Sequence, residues 1–170
     1  RVGVGYDNID ESKANELGIK VCNVPDYGTE EVADHAIGML LSLSRGMHDF
    51  INRVRNRDWS RSHSVPFRLR GLTMGIIGAG RIGTATLMRA RSFGMHVIFY
   101  DPYVNDGYEK ALGVDRVNSL EDLAKASDIV SIHTPLSEET NNMIGKRFFS
   151  VLKPGATIIN TARGPIIDLE

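Results

Sequence analysis

The sequence predicts an α/β fold built on a doubly wound parallel sheet. Between residues 72 and 160, short apolar stretches of strand length alternate with stretches whose apolar residues recur at helical spacing. Such alternation is typical of parallel strands joined by right-handed helical crossovers. With 170 residues, of which 42% are hydrophobic and 24% charged, the chain can bury one substantial core, so we expect one domain and a piece of another.

The first third of the chain is predicted to form a loop, a short helix followed by a strand, and a long helix. Residues 1–10 are a glycine-rich loop, residues 11–17 a helix ended by Gly18, and residues 19–24 a strand ended by Pro25. The long helix covers residues 29–45, with acids in its first turn. Because its apolar residues exceed one stripe, Met39 and Met47 are predicted in the core or in a subunit contact. A domain boundary is expected near residues 26–28, dividing the chain into residues 1–27 and 28–170.

The remaining elements follow from periodicity and from turn residues. Ser119 and Asp122 resemble a capping box, and Gly94 suits the end of a helix. Strands are predicted over residues 72–77, 96–100, 128–133 and 156–160, and helices over residues 82–93, 120–126 and 146–152.

A glycine-rich turn predicts a dinucleotide site of the Rossmann type. The first strand of this alternation runs into Gly78-Ala79-Gly80-Arg81-Ile82-Gly83, a helix follows, and the next strand ends at Asp101. In that context the first glycine permits the turn, the second lets a pyrophosphate approach, and the third lets helix and strand pack closely. Asp101 would accept hydrogen bonds from the ribose of NAD and repel the 2′-phosphate of NADP. The alternative is a glycine-rich turn without a ligand.

Two further strand ends carry candidate chemistry, because ligands of open α/β sheets bind outside the carboxyl ends of the strands. His133 closes one apolar strand, and we interpret it as a packed, hydrogen-bonded histidine rather than an acid–base. Arg163 follows the last predicted strand beside Gly164, where a guanidinium can fork onto a small carboxylate or carbonyl. Its alternative is a surface cation.

Composition excludes several classes of function. A net charge of −1 argues against bulk attraction to nucleic acid or to anionic membranes, and no apolar stretch reaches membrane-spanning length. Cys22 is predicted to be a buried thiol of an intracellular protein. Residues 45–71 hold seven arginines, Arg61 among them, against two aspartates; we interpret them as a solvated helix face and linker, with Trp59 packed on the domain. A contact with an acidic surface of a sister subunit is the alternative.

Five motifs in order resemble those of the D-isomer-specific 2-hydroxyacid dehydrogenases. They are Arg1-Val2-Gly3-Val4-Gly5-Tyr6-Asp7-Asn8-Ile9-Asp10, Thr29-x-x-Val32-Ala33-Asp34-His35, Gly78 to Gly83 with Tyr100-Asp101-Pro102, His133-x-Pro135-Leu136-x-x-x-Thr140, and Asn160-x-x-Arg163-Gly164-Pro165. Locally, Tyr100-Asp101-Pro102-Tyr103 is also similar to the C-terminal binding proteins, which are NAD(H)-binding corepressors of the same fold.

The resemblance implies a role for each matching position. Residues 1–27 would end a flavodoxin-like substrate domain, and the backbone of Val2, Gly3, Val4 and Gly5 would hold the substrate carboxylate. The cofactor NAD would be held by Gly78, Gly80, Arg81, Ile82, Gly83, Asp101, Thr134, Pro135, Thr140, Thr161, Ala162 and Arg163. Arg163 would be the catalytic arginine. No metal is implied, and the family's acid–base histidine and its glutamate are expected beyond residue 170, so this chain alone should turn over nothing.

Two classes of function therefore stay open. The first is a cytoplasmic, homodimeric NAD-dependent dehydrogenase that interconverts a 2-keto acid and a D-2-hydroxy acid. The second is an NAD(H)-sensing corepressor, which would be nuclear. Neither reading includes direct binding to nucleic acid or to a membrane.

Overall fold

A computed structural model describes residues 1–60 and 66–169, and its centre is a parallel sheet of five strands. In chain order the elements are α1 (Glu11–Glu16), α2 (Thr29–Ser44), α3 (Met47–Arg55), β1 (Thr73–Ile77), α4 (Arg81–Ser92), β2 (His96–Tyr100), α5 (Tyr108–Leu112), β3 (Asp115–Arg116), α6 (Leu120–Ala126), β4 (Ile129–Ile132), α7 (Lys146–Val151), β5 (Thr157–Asn160) and a 3₁₀ turn (Gly164–Ile166).

The strand order is β3-β2-β1-β4-β5, so the winding of the sheet reverses between β1 and β4. In register, Ile77 at the end of β1 lies opposite Tyr100 of β2 on one side and Ile132 of β4 on the other. The chain therefore leaves β1, β2 and β4 at one edge of the sheet. That reversal is where open α/β sheets form ligand crevices, and the predicted fold class is confirmed.

Each face of the sheet carries its own apolar core. On one face α4 packs on β1 and β2, and α2 packs on α4 and on β5, with Leu40, Met74, Leu87 and Phe99 fully buried. On the other face α6 and α7 cover the sheet through a second set of buried side chains, which includes Leu123, Ile132 and Phe148. Because both faces are covered, the central strands are apolar along nearly their whole length.

Helices α2 and α4 are also joined by charge. Arg89 on α4 pairs with Glu30 and, at 2.6 Å, with Asp34 on α2, and these bonds raise the pKa of the Arg89 guanidinium. Ser119 caps α6 as predicted, since its hydroxyl accepts the Asp122 backbone N–H at 3.1 Å. Gly94 follows α4 with φ +72°, in the left-handed region that glycine favours.

The predicted strand at residues 19–24 is wrong. This segment is extended, but only two bonds join its backbone to the loop at residues 1–5 of the described chain, one from the Val24 N–H to the Gly3 carbonyl and one from the Arg1 nitrogen to the Cys22 carbonyl. Two isolated bonds do not make a ladder, and the segment packs on no sheet of the described chain. For the same reason Cys22 is exposed and not buried.

Trp59 is more exposed than predicted, since it is 85% exposed and does not pack against the domain. Met39 and Met47 lie outside the core at 43% and 47% exposure, which leaves a subunit contact as the remaining alternative for them. Residues 47–55 form α3, which has no buried residue, within the segment interpreted as a solvated helix face and linker. Arg61 of the arginine-rich segment lies outside the described residues.

Candidate functional site

The glycine-rich turn after β1 shows three different reasons for glycine. Gly78 has φ +89°, and a Cβ there would lie 3.0 Å from the His133 carbonyl at the end of β4. A Cβ on Gly83 would lie 1.9 Å from the Gly78 carbonyl oxygen, so the helix could not approach the strand. Around Gly80 a Cβ would meet nothing within 4 Å, although this glycine has a φ of −70° that any residue adopts.

Open space at Gly80 fits a ligand that must approach the backbone. The first N–H groups of α4, from Arg81 to Gly83, have no partner inside the helix, because no turn of helix precedes them. The positive end of the helix dipole lies at the same place. A phosphate group suits such a position. The sterics of the turn therefore support the predicted pyrophosphate site.

Asp101 is buried, at 8% exposure, and it organises the turn as well as facing it. One carboxylate oxygen accepts the Ala79 backbone N–H at 2.8 Å, and the other accepts the Tyr103 N–H at 2.9 Å. Each oxygen keeps a second lone pair for a ribose hydroxyl. The carboxylate thus ties β2 to the glycine turn, a structural role that the sequence reading did not include.

A cleft of about 710 Å³ opens beside the glycine turn. It is lined by three segments, the start of α2, the start of α4 and the loop after β2, with Thr29, Gly80, Arg81, Tyr103 and Tyr108 among its residues. Across it, the Thr84 hydroxyl and the Tyr108 hydroxyl are hydrogen-bonded at 3.0 Å. The cleft therefore includes side chains that the sequence reading missed, Thr29, Tyr103 and Tyr108.

Two buried hydroxyls at neighbouring strand ends have no partner among the described residues. They are the Oγ1 atoms of Thr134, just beyond β4, and of Thr161, just beyond β5. Strands β4 and β5 are paired, with Ile132 opposite Asn160, so the two hydroxyls follow adjacent strand ends. Since buried polar groups in folded proteins are almost always hydrogen-bonded, this pair points to a polar ligand at the edge of the sheet.

Thr140 and Pro135 are hydrogen-bonded to each other within the turn that follows β4. The Thr140 hydroxyl donates to the Pro135 carbonyl at 2.7 Å and accepts the Ser137 N–H at 2.8 Å. Tyr103 from the loop after β2 donates to the carboxylate of Glu139, which joins this turn to the far side of the cleft. Thr140 therefore shapes the turn, and its hydroxyl has no donor left for a cofactor.

His133 is a packed, hydrogen-bonded histidine. Its Nε2 lies 2.9 Å from the Ser131 hydroxyl, and its backbone N–H donates to the Ile77 carbonyl at 2.8 Å. Burial lowers the pKa of the imidazole to about 4, so the ring is neutral at pH 7. A neutral ring held in this way cannot act as a protonated general acid near neutral pH.

Arg163 contacts the loop at residues 1–10. Its guanidinium forms an ion pair with Asp7, Nη2 to Oδ1 at 2.7 Å, and the two side chains are 37% and 34% exposed. Beneath it, Asn160 fixes the strand end, since its amide donates to the Arg163 carbonyl and its oxygen accepts the Ala162 N–H. Arg163 is thus held in place and is not a free surface cation.

The loop at residues 2–5 lies beside this arginine. Two of its carbonyls are engaged, since the Gly3 oxygen accepts the Val24 N–H and the Val4 oxygen accepts the Asn23 amide. Gly3 has φ +135°, which requires glycine. A Cβ on Gly5 would lie 1.9 Å from Nη2 of Arg163, so Gly5 makes room for the arginine.

The pairing of Asp7 with Arg163 was not predicted, although Asp7 lies within the first of the five motifs. No local signal pairs it with Arg163, since the two are 156 positions apart in the chain. In the described part of the chain, no group of three or more histidine, cysteine or carboxylate side chains is arranged to hold a metal. Likewise, none of the described helices is both long and apolar enough to cross a membrane.

The strand order, the glycine turn and the acidic end of β2 together define a dinucleotide-binding α/β domain. Comparison with known proteins agrees. Residues 37–170 match the family described as D-isomer specific 2-hydroxyacid dehydrogenase, NAD binding domain. The chain belongs to this family, and NAD is the cofactor of the domain.

Three relatives place the chain within the family. It is 38% identical over 168 residues to D-3-phosphoglycerate dehydrogenase of Methanocaldococcus jannaschii, covering 99% of this chain and 32% of that protein. It is 39% identical over 175 residues to C-terminal-binding protein 1 of Caenorhabditis elegans, covering 99% and 24%. The solved structure of D-lactate dehydrogenase from Aquifex aeolicus, complexed with NAD and lactic acid, matches with a TM-score of 0.87 and 37% identity, over 98% of this chain and 50% of that one. The chain thus spans half or less of the length of each.

Proposed function

We propose that the full-length protein containing this chain is an NAD-dependent D-2-hydroxyacid dehydrogenase, which transfers hydride between NAD(H) and a small 2-keto or 2-hydroxy acid. In this proposal Gly78, Gly80, Arg81, Ile82 and Gly83 hold the pyrophosphate and Asp101 the adenosine ribose. Thr134 and Thr161 supply their unpaired hydroxyls to the cofactor, with Pro135, Thr140 and Ala162 shaping its walls. The dinucleotide supplies the hydride, and the protein supplies position and charge.

The observation that carries the enzyme proposal is the position of Arg163. A fixed cation stands between the end of β5 and the loop at Val2, Gly3, Val4 and Gly5. The backbone N–H groups of Gly3, Val4 and Gly5 donate to no backbone acceptor among residues 1–60 and 66–169. A substrate carboxylate can meet these N–H groups while the guanidinium polarises the adjacent carbonyl.

Replacement of Arg163 by lysine tests this role in the full-length protein. Lysine keeps the charge but loses the planar fork, so kcat/KM for 2-keto acids with NADH should fall by on the order of 2–4 kcal/mol of transition-state stabilisation. NADH affinity, measured by fluorescence titration, should change far less. Turnover close to that of the unmutated protein would make Arg163 structural and remove the support for catalysis in this chain.

A corepressor is the second candidate, favoured by the 39% identity to the C. elegans protein and by Tyr100-Asp101-Pro102-Tyr103. Both candidates use NAD(H), so cofactor binding does not separate them. A panel of 2-keto acids assayed with NADH does. If no acid is reduced while NADH binds tightly and changes the assembly state, the corepressor is favoured.

A further inference from the structure

The side chain of Asp7 holds one edge of the Arg163 guanidinium. Nε of Arg163 donates to both carboxylate oxygens, at 3.0 and 3.1 Å, and Nη2 donates to Oδ1 at 2.7 Å. This is the two-point geometry in which a carboxylate fixes the plane of an arginine. Asp7 belongs to the loop at residues 1–10 and Arg163 follows the end of β5, so the contact joins parts of the chain that are 156 positions apart.

The third nitrogen is held from the other side. Nη1 donates to the Ala162 carbonyl at 2.9 Å. A guanidinium has five N–H groups, and these contacts use one on each nitrogen. One N–H on Nη1 and one on Nη2 therefore remain for a ligand.

The surrounding backbone is built to admit this arrangement. A Cβ on Gly5 would lie 1.9 Å from Nη2 of Arg163 and 3.2 Å from Oδ1 of Asp7. Any larger residue at position 5 would displace the ion pair from the loop. The absence of a side chain at Gly5 thus lets Arg163, Asp7 and the N–H groups of the loop lie close to one another.

We infer that Asp7 is a positioning residue, which fixes the plane of Arg163 so that its two remaining N–H groups face the carboxylate or carbonyl of a 2-keto acid. The inference rests on the function proposed above. An arginine side chain carries several rotatable bonds, and holding it before the substrate arrives removes an entropic cost from binding and from the transition state. Arg163 also lowers the pKa of the Asp7 carboxyl by hydrogen bonding, which favours the ionised carboxylate that pairs with the guanidinium.

Kinetics of the full-length protein provide the first test. Asp7→Ala should lower kcat/KM for a 2-keto acid on the order of 10- to 100-fold, mainly through KM, because a loose arginine misplaces the substrate. Asp7→Glu should recover part of the loss, and the Kd for NADH should stay within about twofold. Asp10→Asn is the matched control: Asp10 lies in the same segment and caps α1 through the Lys13 N–H at 2.8 Å, and asparagine caps as well.

A double-variant cycle separates positioning from general loop damage. If Asp7 acts through Arg163, Asp7→Ala should cost much less in the Arg163→Lys background than in the unmutated protein. Equal costs in both backgrounds would overturn the inference. So would a higher kcat/KM in Asp7→Ala, because Asp7 would then compete with substrate for the arginine.

An NMR measurement tests the same inference without depending on turnover. In ¹⁵N NMR of the full-length protein, the Nε–H resonance of Arg163, assigned from its loss in Arg163→Lys, should shift and exchange faster in Asp7→Ala but not in Asp10→Asn. An unchanged resonance would overturn the inference even if no 2-keto acid is found. If the unmutated protein reduces none, the proposed function fails; if it reduces one and Asp7→Ala matches it, the inference alone fails.

Discussion

At the scale of single residues, each of the three glycines in the turn after β1 is required for a different reason. Gly78 needs a positive φ and a close approach to β4, Gly83 needs contact with the Gly78 carbonyl, and Gly80 needs neither. Glycine at position 80 is thus explained by something other than the protein's own packing. A ligand that comes up to the backbone supplies that explanation.

Gly80→Val should therefore reduce NADH affinity sharply while leaving the fold intact. A Cβ at position 80 meets no protein atom within 4 Å, so the branched side chain is attached in the open space where the pyrophosphate would approach the backbone. Fluorescence titration with NADH measures the affinity, and circular dichroism checks the fold. A folded variant that binds NADH normally would contradict the placement of the cofactor at this turn.

His133 predicts a pH dependence of stability. Its pKa is lowered to about 4 in the folded state, against 6.5 for a free imidazole, so folding disfavours the proton. The corresponding stability is complete above pH 6.5 and is lost as the pH falls from 6.5 toward 4, by on the order of 3 kcal/mol. Urea unfolding at pH 7 and pH 4.5 should show a smaller loss for His133→Gln, which keeps a hydrogen-bonding group for Ser131. Equal losses for both proteins would mean that the imidazole is not buried as described.

At the scale of elements, the packing of α4 on β1 depends on Gly83. A Cβ at this position would lie 1.9 Å from a backbone carbonyl, and neither partner can move without separating helix and strand. Gly83→Ala should therefore destabilise the protein by about 2–4 kcal/mol. Gly80→Ala is the matched control, since the same methyl group three residues earlier enters open space and should cost less than about 1 kcal/mol. Equilibrium unfolding measures both, and equal costs would disprove the close approach.

Element boundaries were predictable where the signal is local. The strand at residues 96–100 and the helix at residues 120–126 match β2 and α6, because apolar spacing and a Ser119 cap act within a few residues. The predicted strand at residues 19–24 failed because a strand exists only with a partner, and the described chain offers none. The short α5 and β3 carry too few residues for a periodic signal.

At the scale of the whole molecule, α2 and α3 present apolar side chains to solvent. Exposed residues on this surface are Met39, Leu43, Met47, Ile51 and Val54, of which Leu43 is 55% exposed. Charged pairs tie α2 to α4 on its other side, so the apolar surface is not needed within the domain. A surface of this kind favours a contact between two copies, and we propose that the full-length protein is a homodimer.

Leu43→Lys should weaken that dimer by placing a charge in the contact. Sedimentation at micromolar concentration should give a dimer for the unmutated protein and a larger monomer fraction for the variant. Phe149→Lys, on α7 at the opposite face of the sheet, is the control and should leave the dimer unchanged. A monomeric unmutated protein would rule out the proposed assembly.

The sequence by itself determined the parallel α/β fold, the glycine turn, Asp101 at the end of β2 and Arg163 beyond β5. These features depend on residues close together in the chain, whose spacing and backbone freedom act before any tertiary contact forms. Only the tertiary structure decided the exposure of Cys22 and Trp59, the unpaired hydroxyls of Thr134 and Thr161, and the ion pair of Asp7 with Arg163. Burial and long-range pairing depend on which surfaces meet, and across 156 positions that is set by the winding of the sheet and not by local pattern.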